Sequence, residues 1–351
     1  MITRRCQNLT LRFNNIEKNS LLSACIKGDL SKVNSLIESG ADIKITDKDG
    51  NTPLSLSCKY GNIDIVNLLV DNGCDINKPD KNGMTPLMNA CHGGHQLIVV
   101  RLIERGAGTN ISNNDGNTPL LLCCMNGYID NAILLIDKGC DTNKPNNCGM
   151  TPLMIACVRG HVQIVTHLID REVDINITNK NGNTPFSLSC DNGYIDIVNV
   201  LIDKVYDINK PANNGMTPLM DACHHGHMPI VALLIEKGAD INITENNGAT
   251  PLSLSCDNGN IDIANLLIDE GCDINKPDND GITPLMNACR HGHLPIVARL
   301  IKMGADINIT DNKGNTPCFW ACKNGNIDIA NLLIDNCCDI KKNLMIMGRR
   351  L

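Results

Sequence analysis

One segment of this chain recurs at a constant step, from Asp47 to Asp80 to Asn113 and onward, with no insertion or deletion. The copy from Asp47 to Pro79 reads Asp-Lys-Asp-Gly-Asn-Thr-Pro-Leu-Ser-Leu-Ser-Cys-Lys-Tyr-Gly-Asn-Ile-Asp-Ile-Val-Asn-Leu-Leu-Val-Asp-Asn-Gly-Cys-Asp-Ile-Asn-Lys-Pro. The pattern restarts at Asp80, Asn113, Asn146, Asn179, Ala212, Glu245, Asp278 and Asp311. A fixed period of this length means stacked supersecondary units that grow along one axis. It overrides the two ordinary domains that 351 residues would otherwise suggest.

Each unit has a physical reading. Asp47-Lys48-Asp49-Gly50 is a turn, with Gly50 free to take positive φ. Thr52 stands at an N-cap and Pro53 at the first helical position. Leu54, Leu56 and Cys58 supply a short apolar helix that Gly61 ends. Asn62 is the expected cap of a second helix, and Asp64 suits the positive end of its dipole. Ile65, Val66, Leu69 and Val70 fall at helical spacing and make its buried stripe. Gly73 ends that helix, and Cys74-Asp75-Ile76-Asn77 leads to the next turn. Neither helix is long enough to stand alone, so each unit must stack on its neighbours.

The pattern resembles the ankyrin repeat. Gly83-Met84-Thr85-Pro86-Leu87 and Gly238-Ala239-Asp240-Ile241-Asn242 carry the likeness most closely. The resemblance covers about residues 14 to 342 and implies an all-α, ankyrin-type helical repeat solenoid of about ten repeats with short β-turn fingers. One departure matters. The family usually has His after Thr-Pro-Leu, linking neighbouring repeats. Here that place holds Ser55, Met88, Leu121, Met154, Ser187, Met220, Ser253, Met286 and Phe319. That polar link is put in doubt, and packing is expected to carry more.

Organisation follows the period. Residues 1–13 form an N-terminal extension in which Leu9, Leu11 and Phe13 alternate with polar residues. The repeats occupy 14–342, starting near 14, 47, 80, 113, 146, 179, 212, 245, 278 and 311, and 343–351 is a tail. Repeat one is degenerate, with Glu17 where Gly belongs, as an end cap would be. Repeats two to ten alternate between two types. The longer period, from Asp47 to Asn113, is best explained by duplication of a two-repeat block. In repeats five and six Glu172 and Val205 replace the Gly that ends the second helix. Val disfavours positive φ, so a weak joint is expected there, with either an altered helix end or stored strain.

Nineteen cysteines look like a disulfide scaffold until their positions are read. Cys25, Cys58, Cys91, Cys124, Cys157, Cys190, Cys223, Cys256, Cys289 and Cys322 share one repeat position. Cys74, Cys140, Cys272 and Cys338 share another. Stacked helices lie ~8–10 Å apart, and a disulfide needs Cα atoms within ~7 Å. The ladder is therefore expected to hold small buried hydrophobes in a reducing compartment, intracellular and cytoplasmic. The N-terminus has basic residues but no apolar stretch of a secretory signal, so the glycosylation sequons such as Asn110-Ile111-Ser112 are discounted.

Net charge is −7, which argues against nucleic acid, and no run of 18 apolar residues suits a membrane. There is no phosphate loop, zinc-protease motif or nucleophile elbow. Asp64, Asp130, Asp196, Asp262 and Asp328 repeat one helix-start position, which is dipole chemistry and not an acid–base pair. His224-His225-Gly226-His227 is the densest histidine cluster, but no carboxylate-rich shell accompanies it. No cofactor, metal or catalysis is assigned.

What remains is an interaction scaffold, a monomer holding an unknown protein partner. The resemblance places its binding surface on the turn tips and the inner face of the first helices. Ahead of the loop glycine the residues vary while the frame does not. Hot spots favour Trp, Tyr and Arg. The candidate contact residues are Lys59, Tyr60, His92, Arg159, His224, His225, Asp257, Arg290, His291 and Trp320. The other reading is a structural spacer with no groove partner.

Overall fold

The computed structural model describes residues 19–336. The extension 1–13 with Cys6, the cap residue Glu17, Cys337, Cys338 and the tail 343–351 lie outside them. Among the described residues the regular structure is helical, in pairs that recur once per repeat. Repeat two shows why. Thr52 is extended (φ −86°, ψ 164°), and its hydroxyl accepts the Ser55 N–H at 3.0 Å. The Ser55 hydroxyl accepts the Thr52 N–H at 2.8 Å, closing a capping box over the helix Pro53–Lys59. Such a cap contributes about 1 kcal/mol. Gly61 has φ +80° and turns the chain into the second helix, Ile63–Asp71. Ile65, Val66 and Leu69 are buried, whereas Val70 is only half-buried.

Asn62 does not cap the second helix as expected. Its amide instead reaches back one repeat and donates to the Cys25 carbonyl at 2.7 Å. Asn260 does the same to Cys223, and Asn326 to Cys289, both at 2.8 Å. In alternate repeats a histidine takes over. The Nε2 of His95, His227 and His293 lies 3.1, 3.0 and 3.2 Å from the carbonyls of Lys59, Asp191 and Asp257. These rings press on the loop glycine of the preceding repeat. A Cβ at Gly61, Gly193 or Gly259 would come within 2.7 Å of one.

The turn tips form a second ladder. The amide of Asn147 donates to the Asn114 carbonyl, Asn246 to Asn213, Asn279 to Asn246 and Asn312 to Asn279, all at 2.8–3.0 Å. A third ladder runs through the exit segments, where Asn77, Asn110, Asn209, Asn242 and Asn275 accept the backbone N–H of the following repeat. Polar links between repeats are therefore kept, and asparagine supplies most of them. The position after Thr-Pro-Leu, where serine stands, caps its own helix.

Within each unit first helices stack on first helices, and the cysteine ladder lies between them. Nine of its ten members are buried, but Cys322 is exposed, because no further first helix follows it among the described residues. Burial pushes the thiols of Cys58, Cys124 and Cys256 well above their ordinary range and that of Cys223 up to about 12. Thiolates do the reacting, so these groups should be slow. Timed alkylation read by mass spectrometry is expected to label Cys148 and Cys322, both exposed, well before Cys58, Cys124 or Cys256. Labelling of the buried three at the rate of Cys148 would reject this account of the ladder.

The chain divides into two compact units at Asp174–Ile175. Both expected irregularities lie near the division, and each takes a different form. Glu172, in the first unit, keeps the glycine conformation with φ +55°, the one non-glycine among the described residues with positive φ. Val205, in the second, avoids it. Its helix, Ile195–Ile202, stops one residue short of the usual nine. Tyr206 then stands where other repeats bury Ala107, Cys140, Val173, Ala239, Cys272 or Ala305 to 8% exposure or less. The ring does not enter that small site and is 95% exposed. A cavity of about 280 Å³ lies beside it, lined by Ile175, Phe186, Val205 and Lys210 among others, and one of about 190 Å³ lies at the matching place beside Ile43, Cys74 and Lys78.

Candidate partner-binding groove

Three rows of side chains line the inner face of the first helices. A floor row lies at the fourth position beyond each Thr cap. The other two rows occupy the last turn, ahead of the loop glycine. The caps and loop contacts described above set the rotation of the helices, so within each unit residues one repeat apart share a row.

In the first unit the floor is Leu56, Asn89, Leu122 and Ile155, all buried. Lys59 and Tyr60 stand at the rim, with Tyr60 50% exposed. His92 is exposed and accepts from the Asn126 amide at 3.3 Å through Nδ1. Arg159 is exposed at the end of its helix, Pro152–Arg159. Lys59 and His92 occupy one of the two last-turn rows, and Tyr60 and Arg159 the other.

The groove of the second unit is the more highly charged. Its floor is Leu188, Asp221, Leu254, Asn287 and Trp320. Asp191 Oδ1 lies 3.1 Å from His225 Nδ1, and Asp257 Oδ1 lies 3.0 Å from His291 Nε2. These two pairs stand a double repeat apart, at matching positions. The Asn258 amide lies 3.0 Å from His224 Nδ1. The guanidinium of Arg290 sits 5.7 Å from the centroid of Trp320, and Lys323 Nζ sits 4.7 Å from it. The indole is fixed by Phe319 edge-on at 5.8 Å and by donation from Nε1 to Asp311 Oδ2 at 3.3 Å. Trp320 thus packs the last repeat and also presents a half-buried face flanked by two cations. The structure gathers His224, His225, Asp257, Arg290, His291 and Trp320 on one face of this unit.

Asp221 is not legible from the sequence as a site residue. It is half-buried, and its carboxyl has no hydrogen bond or ion pair among the described residues. Burial, with help from the Asp191 charge, pushes it up to about 7. The available signal is positional, since Asp221 stands three repeats before Trp320 in the same row. Among the described residues no group of three or more His, Cys, Asp and Glu side chains is placed to hold a metal. No helix among them is long and apolar enough to cross a membrane.

The model for ankyrin repeats, in three copies, matches residues 6–80, 72–146, 133–212, 204–278 and 266–345. The chain belongs to the ankyrin-repeat family. No curated protein matches it. Ankyrin repeats are generally protein–protein interaction modules and typically non-catalytic. The helical pairs, the Thr-Pro caps and the Asn ladders are the ankyrin frame of this protein, and the three rows are what that frame displays.

Proposed function

We propose that this protein is a non-catalytic scaffold that holds a protein partner in the groove of its first helices. One observation carries the reading. Caps and buried core recur along the repeats with a local break at Val205 and Tyr206, while the groove rows change in charge, size and aromaticity. A spacer has no use for such variation on one face. The net charge of −7 favours a protein over a nucleic acid, and the ladder of buried thiols suits a reducing, cytoplasmic setting. The protein acts as a monomer in this reading.

The test uses a partner captured from native extract and then titrated in purified form. Arg290→Ala should weaken binding by about 2 kcal/mol, roughly thirtyfold. Asp64→Asn, at a helix start away from the groove, should bind as wild type. Circular dichroism confirms that each variant is folded. If a folded variant with Tyr60, Arg159, Arg290 and Trp320 all changed to alanine binds unchanged, the groove is not the site and the spacer reading stands.

A further inference from the structure

Charges in the groove of the second unit fall into two classes. Some are already committed. Asp191 faces His225 and Asp257 faces His291. On the second helices Lys237 pairs with Asp203 and Arg299 with Asp269. Three groove charges meet no opposite charge among the described residues. They are the Asp221 carboxyl on the floor of repeat seven, and the Arg290 and Lys323 cations about Trp320 where repeats nine and ten meet. Uncommitted charges of opposite sign at two places in one groove define a complementary ligand.

We infer that the groove of the second unit takes an extended peptide segment bearing a basic side chain for Asp221 and, farther along, acidic side chains for Arg290 and Lys323. This rests on the groove reading above and names the chemistry of its occupant. Repeats are ~8–10 Å apart, so three layers from repeat seven to ten span ~24–30 Å. An extended chain advances ~3.3 Å per residue. The two charge sites therefore call for a separation of about eight residues. The intervening floor, Leu254 and Asn287, is half-buried and suits small side chains. Arg290 offers a planar fork for a carboxylate that lysine would not reproduce.

The acidic site adds a pH signature. Of the titratable groups on the first helices packed together here, Asp191 stands on the preceding helix and raises Asp221, His224 and His225 stand on its own, and Asp257 stands on the following one. Glu236 stands at the far end of the second helix of its repeat. A carboxyl with an ordinary value shifted to about 7 is roughly one-tenth ionised at pH 6 and nine-tenths at pH 8. A cation binds the ionised form, so affinity should rise about tenfold between those values.

The probe is a fluorescent peptide of roughly twelve residues, with one arginine and, about eight residues on, two adjacent glutamates, joined by serine and alanine. Its control has the same composition with the charges adjacent. The spaced peptide should bind the full chain at least about tenfold tighter than the control, and about tenfold tighter at pH 8 than at pH 6. Asp221→Asn should weaken it and remove most of the pH gain. Asp221→Lys should recover binding for a peptide whose arginine is replaced by glutamate. Equal binding of spaced and adjacent peptides, no binding of the spaced peptide up to about millimolar concentration, or an unchanged pH gain in Asp221→Asn would each overturn the inference. The groove reading fails separately. A captured partner that ignores the four-alanine variant removes both, whereas one that responds to it but not to Asp221→Asn removes only the charge order.

Discussion

At pH 8, Asp221→Asn is expected to stabilise the helix Pro218–His225 by on the order of 3 kcal/mol, and at pH 4 to change it far less. The folded carboxyl is raised to about 7 from an ordinary 3.8. The folded state therefore holds this proton more tightly than the unfolded chain does. That advantage is complete below about pH 4 and is lost as pH rises through 7. Above 7 the wild type carries an ionised, half-buried carboxylate beside Asp191 with no partner. Asparagine stands at the same position in two other repeats, as Asn89 and Asn287, so the frame accepts the amide. Repeat proteins do not unfold in one step, so the measurement is native-state hydrogen exchange of this helix, variant against wild type at each pH. An equal difference at pH 4 and pH 8 would sink the claim.

Gly193→Ala is expected to cost about 3 kcal/mol. Gly193 has φ +79°, and an L side chain in that conformation costs about 1 kcal/mol or more. The added Cβ would also lie 2.5 Å from the His227 ring. The ring must then move and give up its bond to the Asp191 carbonyl, worth another ~1 kcal/mol with lost packing beside it. Gly271→Ala separates the two effects. Its φ is +80°, but nothing lies within 4 Å of the new Cβ, so only the backbone cost of ~1 kcal/mol should appear. Native-state hydrogen exchange of the helices Pro185–Asn192 and Ile261–Asp269 that shows the same loss in their respective variants would show that the histidine contact contributes nothing.

These two sites differ in how far a reader of the sequence can see them. Thr52, Pro53 and Gly61 announce their roles because caps, first-turn prolines and left-handed glycines depend on a few adjacent atoms. The cysteine ladder is likewise legible, since periodicity alone puts it on a buried face. Asn62 misleads, because capping its own helix and bonding the previous repeat are equally open to an asparagine at that place. Tyr206 shows the same limit. A large ring at a small-residue position must distort the core or leave it, and only packing decides. Asp221 is hidden by its alternation with Leu188 and Leu254, which makes the position read as core. Arg290 and Trp320 are visible one by one as hot-spot residue types. Their contact, with Lys323 on the same ring, requires the stack.

The ion pairs on the second helices set a rule for how such a chain can change length. Asp71 binds Arg101 and Arg105, Asp137 binds Arg171 and His167, Asp203 binds Lys237, and Asp269 binds Arg299. In every case the aspartate belongs to an even repeat and the cation to the next odd one. Each pair has an exposed aspartate and is worth at most ~1 kcal/mol, but together they marry repeats two by two. Excising a single repeat would seat two aspartate-bearing faces, or two cationic ones, side by side. Excising a consecutive pair joins an acidic face to a basic one again, with every asparagine rung still in register. The heritable quantum of this chain is the couple, so gain or loss of whole couples is the one edit that lengthens or shortens the groove without rewriting its seams.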